Sequence, residues 1–340
     1  MRSISATATR EHSWAIVLAA GEGTRLRALT TNAEGQAVPK QFCSFDGSQS
    51  LLRSTLERAR RVVDTERVVV VVTEHHRTWW EPEVADLPER NVIVQPSGRG
   101  TASGVLLPLL EILERDRDAI VTALPSDHFV ANEAVLQGAL EKAMSAVEER
   151  TDRVVLLGMA PDGPETGYGW IVPSPGTDGC TRRVAAFVEK PEEGVAIELM
   201  DRGALWNSFL FVAGGTALIE LYQRALPLLL QSFRRCLDES DGDPKALEAL
   251  YVDRPSHDFS RDVLERLPER LRLLVVPPCG WTDVGTPARV TRCLLRKGRA
   301  ILGAKLSTGA PPDIVESLVS AFGAAPCKAG GWSRDDFVLF

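Results

Sequence analysis

The feature that most constrains this chain is a series of short, unbroken apolar runs separated by stretches of helical length. The first, residues 14–20 (WAIVLAA), has no polar position and stops at Gly21. A strand without polar alternation is buried on both faces, as in a parallel sheet covered by helices. The pattern returns at residues 67–73 (RVVVVVT), 91–95 (NVIVQ), 119–124 (AIVTAL) and 153–158 (RVVLLG). Helix-length segments such as 50–63 and 101–115 lie between them. This alternation predicts β-α-β units and an α/β, doubly wound, mostly parallel Rossmann-like sheet. Ligands bind such sheets beyond the carboxyl ends of the strands, so the residues just after each run are where function is expected.

From about Gly167 the pattern changes. Short strand-like pieces at 169–172, 184–188 and 208–212 are separated by Gly- and Pro-containing turns, and a helical region follows at 216–237. A mixed portion of sheet that shapes a second half-pocket is expected there. After Val290 come a segment at 305–309, the Pro311-Pro312 pair and a helical stretch at 313–322. The expected division is a main domain over 1–290 and a small C-terminal appendage over 291–340. No internal repeat is visible.

The 340 residues, 44% hydrophobic and 25% charged, suffice for one large core. A net charge of −7 disfavours a nucleic-acid surface and leaves room for a local basic pocket for small anions. The six cysteines (Cys43, Cys180, Cys236, Cys279, Cys293 and Cys327) show no C-x-x-C spacing, and no His is placed to complete a zinc site. They read as reduced thiols of a cytoplasmic protein. Residues 1–11 lack an apolar core for a secretory signal, and no apolar run approaches the roughly 20 residues needed to span a bilayer. Neither a membrane nor a nucleic acid is expected as a partner.

The first candidate site is Gly21-Glu22-Gly23-Thr24-Arg25-Leu26, directly after the first strand. Two glycines let the backbone approach a phosphate, and Arg25 carries a fork that matches phosphate oxygens. A dinucleotide fingerprint would need a third Gly at Leu26, and a P-loop would need Gly-Lys-Ser/Thr; neither is present. Pro39-Lys40-Gln41-Phe42 follows and offers a second cation to the same polyphosphate.

This pairing resembles the G-x-G-x-R-L-x-P-L-T…P-K signature of the sugar-1-phosphate nucleotidyltransferases, and P-K-Q-F resembles the mannose-1-phosphate guanylyltransferase branch. The resemblance continues in order through residues 95–102 (QPSGRGTA), 124–128 (LPSDH), 165–169 (ETGYG), 187–191 (FVEKP), 206–208 (WNS) and 281–285 (WTDVG). It covers about residues 14–290. It implies a nucleotidyltransferase sheet, GTP and a hexose 1-phosphate as substrates, and Mg²⁺, or alternatively Mn²⁺, as cofactor. A homodimer is compatible with it. A uridylyl- or thymidylyltransferase acting on another hexose 1-phosphate, or a non-catalytic regulatory paralogue that binds a nucleotide sugar, remain alternatives.

Residue by residue, the resemblance assigns Arg25, Lys40 and Lys190 to catalysis by charge neutralisation. Nucleotide binding falls to Ala19, Gly21, Gly23, Thr24, Gln95, Gly98 and Thr101, with residues 95–102 reading the base. Arg99 is left either to the triphosphate or to solvent. Sugar contacts are expected from Gly167, Tyr168, Glu189 and Asn207, with Tyr168 on a flexible turn whose backbone reaches hydroxyls. Asp127 and Asp283 are the expected metal carboxylates, since a hard cation with phosphate ligands needs only one or two from the protein. His128 is expected to be structural. The chain departs from the family pattern at Ala28, where Pro is usual, at the longer stretch 31–38, and at Phe209, where Gly commonly follows Asn-Ser.

Overall fold

The computed structural model describes residues 11–23, 26–27, 29–32, 35–45, 49–240, 243–252, 254–287 and 289–291. Thr24, Arg25, Ala28 and, beyond Thr291, the expected appendage lie outside the described residues. The first half alternates as its sequence requires: β1 (Ser13–Leu18), α1 (Leu51–Arg60), β2 (Val68–Thr73), α2 (Arg77–Trp80), β3 (Val92–Gln95), α3 (Gly100–Arg115), β4 (Ile120–Pro125), α4 (Glu133–Glu149) and β5 (Val154–Met159). The second half comprises β6 (Gly169–Pro173), β7 (Arg182–Glu189), α5 (Glu193–Asp201), β8 (Leu205–Gly214), α6 (Gly215–Ala225), α7 (Pro227–Ser240), α8 (Pro244–Tyr251), a π-helical turn at Ser260–Leu264, and β9 (Leu271–Val275). The helical region expected at 216–237 is two helices. Pro227 opens the second, where its missing N–H does no harm, and disfavours a helical conformation at Leu226 before it.

Among the described residues the strands form one nine-stranded sheet in the order β3-β2-β1-β4-β8-β5-β9-β7-β6. β1 pairs in parallel with β2 and β4, β2 with β3, and β5 with β9. β8 runs antiparallel between β4 and β5, and β7 antiparallel to β9 and β6. Seven strands thus share one direction, but the pairings are mixed wherever β8 or β7 intervenes. β6 also pairs with the start of β8, so the far end of the sheet curls back on itself.

The unbroken apolar runs are explained by the two helical layers. Val68, Val70 and Val72 of β2 belong to the core on the α1 and α4 side, while Val69 and Val71 belong to the core under α3, α6 and α7. Both sets are fully buried, so every position of the strand must be apolar. Helix entry is fixed locally: the Ser50 hydroxyl accepts from Arg53 N–H (3.0 Å) at α1, and Asn132 Oδ1 accepts from Val135 N–H (3.3 Å) at α4. No helix among the described residues is long and apolar enough to cross a membrane.

Chain order dictates where a ligand can sit. The path leaves β1 for β2 and β3 on one side, then returns to place β4 on the other side of β1. The direction of winding reverses there, and a crevice opens between the loops that follow β1 and β4.

Candidate active site

The loop leaving β1 is anchored from inside the protein. Ala19 is buried and donates its N–H to Val71 O (2.8 Å). Gln41 Nε2 donates to Ala19 O (3.2 Å) and Gly21 O (2.7 Å), which occupies the loop's carbonyls. Gly23 has φ +62°, and a Cβ there would lie 3.0 Å from Lys40 N, so both conformation and contact favour glycine. The longer stretch 31–38 doubles back: Thr31 and Ala37 form an antiparallel bridge, and Val38 N–H donates to Thr30 O (2.9 Å). That reversal returns Lys40 to the loop despite the extra length.

Lys40 is buried in the turn Lys40–Phe42. Its Nζ lies 2.9 Å from Asp127 Oδ2 and donates to Asp283 O at 2.9 Å. A buried ammonium without such partners would be prohibitively costly. Asp127 follows β4, and Ser126 ties that loop to β1 by donating N–H (3.0 Å) and hydroxyl (2.8 Å) to Leu18 O. Burial raises the pKa of Asp127, but the Lys40 ammonium outweighs it, and the carboxyl ends below its ordinary range. Trp281 Nε1 donates to His128 Nδ1 (3.2 Å), so the imidazole is a neutral acceptor there, and burial lowers its pKa to about 4. His128 packs edge-on against Trp281, in keeping with a structural role.

A bridge between Phe129 and Thr282 brings Asp283 beside this group. Its carboxylate is already occupied: it accepts from the Tyr168 hydroxyl (2.8 Å), Gly285 N–H (3.0 Å) and Arg289 Nη1 (2.7 and 2.9 Å to the two oxygens). Arg289 also pairs with Glu165. Lys40 therefore joins the Asp127 carboxylate to the Asp283 main-chain carbonyl, while the Asp283 carboxylate itself is turned to Arg289. Tyr168 does follow a turn at residues 166–167, but it is held on both sides. Its ring is buried against Trp206 (5.0 Å), Trp281 (5.4 Å) and the Arg289 guanidinium (4.2 Å), and its carbonyl accepts from Lys190 N–H (3.1 Å). Gly167 precedes it, half-buried.

Tyr168 leads to a second group at the end of β7. Glu189 Oε1 pairs with Lys190 Nζ (2.9 Å), and Asp258 Oδ2 lies 3.8 Å from the same ammonium. Among the described residues no donor reaches Glu189 Oε2, which is buried. Burial lifts the Glu189 pKa against the pull of Lys190. Gly169 stands opposite on β6, and a Cβ there would come within 2.5 Å of Oε2. Asn207 Oδ1 accepts from Phe209 N–H (3.1 Å) and its Nδ2 donates to Ser260 Oγ (3.4 Å), so this side chain holds the turn at Phe209. Phe209 sits where the pairing of β8 with β5 is irregular, and its φ is +58°. Lys190 (+49°) and Val284 (+47°) share this rare left-handed backbone, so the non-glycine strain lies beside the candidate residues.

The third group follows β3. Gln95 is buried and donates to the Tyr251 hydroxyl (2.9 Å), and Arg99 Nε donates to Tyr251 O (2.8 Å). Thr101 Oγ1 accepts from Phe259 N–H (2.8 Å), and Ala102 N–H donates to His257 O (3.0 Å). Gly98 and Thr101 face solvent. Sequence reasoning missed Tyr251, His257, Asp258, Glu265 and Arg289, which lie outside apolar runs and motifs. Glu265 accepts from Glu189 N–H (3.0 Å). Gln41 could have been found, since it stands within the Pro-Lys-Gln-Phe run.

Together these groups define an α/β protein whose paired cations and carboxylates gather on the loops that follow β1, β4 and β7, at and beside a topological switch point. Residues 14–293 match the nucleotidyl transferase family, and the chain belongs to it. It is 30% identical over 284 residues to the mannose-1-phosphate guanylyltransferase of Escherichia coli (strain K12), covering 80% of this chain and 57% of that protein. It is 31% identical over 278 residues to the xanthan biosynthesis protein XanB of Xanthomonas campestris pv. campestris, with the same 80% and 57% coverage. The chain thus spans little more than half the length of these curated relatives. A crystal structure described as mannose-1-phosphate geranyltransferase from Thermus thermophilus matches with a TM-score of 0.72 at 32% identity, covering 83% of this chain and 79% of that one.

Proposed function

We propose that the chain transfers a guanylyl group from GTP to mannose 1-phosphate and releases pyrophosphate, acting in the cytoplasm. The observation that carries this reading is the link, through Tyr168, between two cation and carboxylate groups: Lys40 with Asp127 and Asp283, and Lys190 with Glu189. Two phosphate-bearing substrates need two such groups. The relatives named for mannose-1-phosphate guanylyltransfer support the choice of substrates.

In this mechanism a phosphate oxygen of mannose 1-phosphate attacks the α-phosphorus of GTP. One phosphorus–oxygen bond forms as the bond to the bridging oxygen of pyrophosphate breaks. The nucleophile is already an anion, so positioning and charge screening do the work and no general base is required. Lys190 screens the repulsion between the two substrates. Lys40, with Arg25 assigned on resemblance alone, holds the departing pyrophosphate. The loop N–H groups at Gly21 and Gly23 take phosphate oxygens, Gln95, Gly98 and Thr101 frame the base, and Glu189 Oε2 takes a sugar hydroxyl.

The all-oxygen donors at Asp127 and Asp283 suit a hard dication such as Mg²⁺ or Mn²⁺. Asp127 would hold it beside Lys40, and Asp283 would do so only if released from Arg289. When bound, that ion neutralises triphosphate charge. Pyrophosphate release from GTP and mannose 1-phosphate tests the reading. It is expected with Mg²⁺ and expected to be lost in excess chelator and nearly lost in Asp127→Asn. Undiminished release in chelator would remove the metal from the account.

A further inference from the structure

Away from the groups assigned to catalysis and to the sugar, three side chains converge at the carboxyl end of β2. Glu22 Oε1 lies 3.0 Å from His75 Nε2, Glu22 Oε2 lies 3.9 Å from His76 Nε2, and one ligand atom of each residue lies within 4.8 Å of the other two. The histidines occupy the turn Glu74–His76, with ring centroids 3.9 Å apart. His76 is buried against Phe42, and its Nδ1 lies 3.0 Å from the hydroxyl of Thr73, the last residue of β2. Glu22 and His75 are about half exposed, at 54% and 46%.

We infer that Glu22, His75 and His76 form a binding site for a transition-metal dication of the Zn²⁺ class, separate from the all-oxygen site at Asp127. Two imidazoles and a carboxylate select borderline metals over Mg²⁺ and leave a coordination position open. Thr73 does for His76 what outer partners do for metal-bound histidines: with Nδ1–H directed at the hydroxyl, the Nε2 lone pair faces Glu22. The ligand atoms have to draw together around distances of about 2.0–2.2 Å. His76 is the fixed member, and the two exposed side chains supply the movement. A plain ion pair of Glu22 with His75 would contribute little at such exposure and would leave the aim of His76 unexplained.

Glu22 lies between Gly21 and Gly23, and its Oε1 is 3.8 Å from where a Cβ on Gly98 would stand. Occupancy therefore fixes the loop assigned above to the nucleotide phosphates, against the loop assigned to the base. That consequence rests on the proposed function; the binding itself does not.

The test is equilibrium dialysis of the full chain against Zn²⁺ alone, with absorption of the Co²⁺-loaded chain as a second readout. One saturable Zn²⁺ per chain is expected, weakened at least about tenfold in His75→Ala. The Co²⁺-loaded chain should show visible d–d bands and no thiolate charge-transfer band in the near ultraviolet. His75 is a half-exposed turn residue, and Glu22→Gln puts the same question without a change of volume. No saturable binding, binding unchanged in both variants, or a thiolate band that assigns the metal to cysteine would overturn the inference. Because turnover is never read, the result stands whichever nucleotide the chain uses.

Discussion

At Phe209 the backbone is left-handed while the ring packs against Phe211 and Phe259, at 6.1 and 5.9 Å between centroids. A side chain in that conformation costs roughly 1–2 kcal/mol, which glycine does not incur. Replacing Phe209 loses the ring contacts in either case, so Phe209→Gly should be more stable than Phe209→Ala by about 1 kcal/mol. Urea unfolding of the pair measures this, and an alanine variant equal to or above the glycine variant would show that the strain is absent. The sequence made this position legible only as a departure from the family's Asn-Ser-Gly; the bulge that explains it arises from strand pairing. Lys40 is the converse case, recognisable from its motif but uncertain in placement because of the longer stretch before it. Lys40→Ala removes the cation assigned to the departing pyrophosphate, and losing a charge-assisted hydrogen bond worth about 1.5–3 kcal/mol there should lower kcat/KM at least about tenfold. Unchanged kinetics would remove Lys40 from the mechanism. Arg289 was not legible, because nothing in the residues after Asp283 signals that a guanidinium folds back onto it.

Between elements, Asp116 joins the end of α3 to the start of β1. Its carboxylate accepts from Trp14 Nε1 (2.8 Å), pairs with His12 Nδ1 (2.9 Å), and lies 3.4 Å from Arg67 Nη1. Burial raises its pKa, but hydrogen bonds from Trp14 and His12 outweigh burial and leave it below the ordinary carboxylate value. A carboxyl whose folded pKa lies below its unfolded value, about 3.9, adds stability above that pH and loses it as pH falls through the folded value. The stability gap between the parent chain and Asp116→Asn should therefore be widest near neutrality and shrink below about pH 4. Urea midpoints at pH 7 and pH 3 read it, and a gap independent of pH would contradict the assignment. The first five strands were legible at this scale as short apolar runs between helix-length segments; β1, β2, β4 and β5 are buried on both faces, whereas β3, at the sheet edge, is half-buried along most of its length. β8 was found as a strand, but not its antiparallel insertion between β4 and β5. Strand direction and order leave no periodic mark on a short segment, and β7 is too exposed at its start to read as core.

For the whole molecule, the winding order reverses between β1 and β4, and Tyr168 links the group there to Glu189 and Lys190 at the end of β7. The alternating first half announced the reversal in sequence. The joining of the groups through Tyr168, and the packing of residues 251–259 against the base loop, depend on contacts between distant segments and were not legible. The convergence of Glu22 with His75 and His76 is of the same kind: the reading that placed no His for zinc looked beside cysteines, whereas the fold supplies a carboxylate from a loop 53 positions earlier in the chain than His75. The proposed function requires a site that selects guanine while discriminating among hexoses more softly. A site whose polar groups pair with one base rejects a mismatched one by large factors, with examples near 10⁴, whereas one neutral sugar hydrogen bond is worth about 0.5–1.5 kcal/mol. The most direct measurement mixes equal concentrations of GTP, ATP, UTP and dTTP with one hexose 1-phosphate at a time and identifies the nucleotide sugars formed. GDP-mannose is expected as the leading product, GDP-glucose as a measurable second, and little from the other bases. A tenfold or greater preference for UTP or dTTP with every hexose phosphate would contradict it.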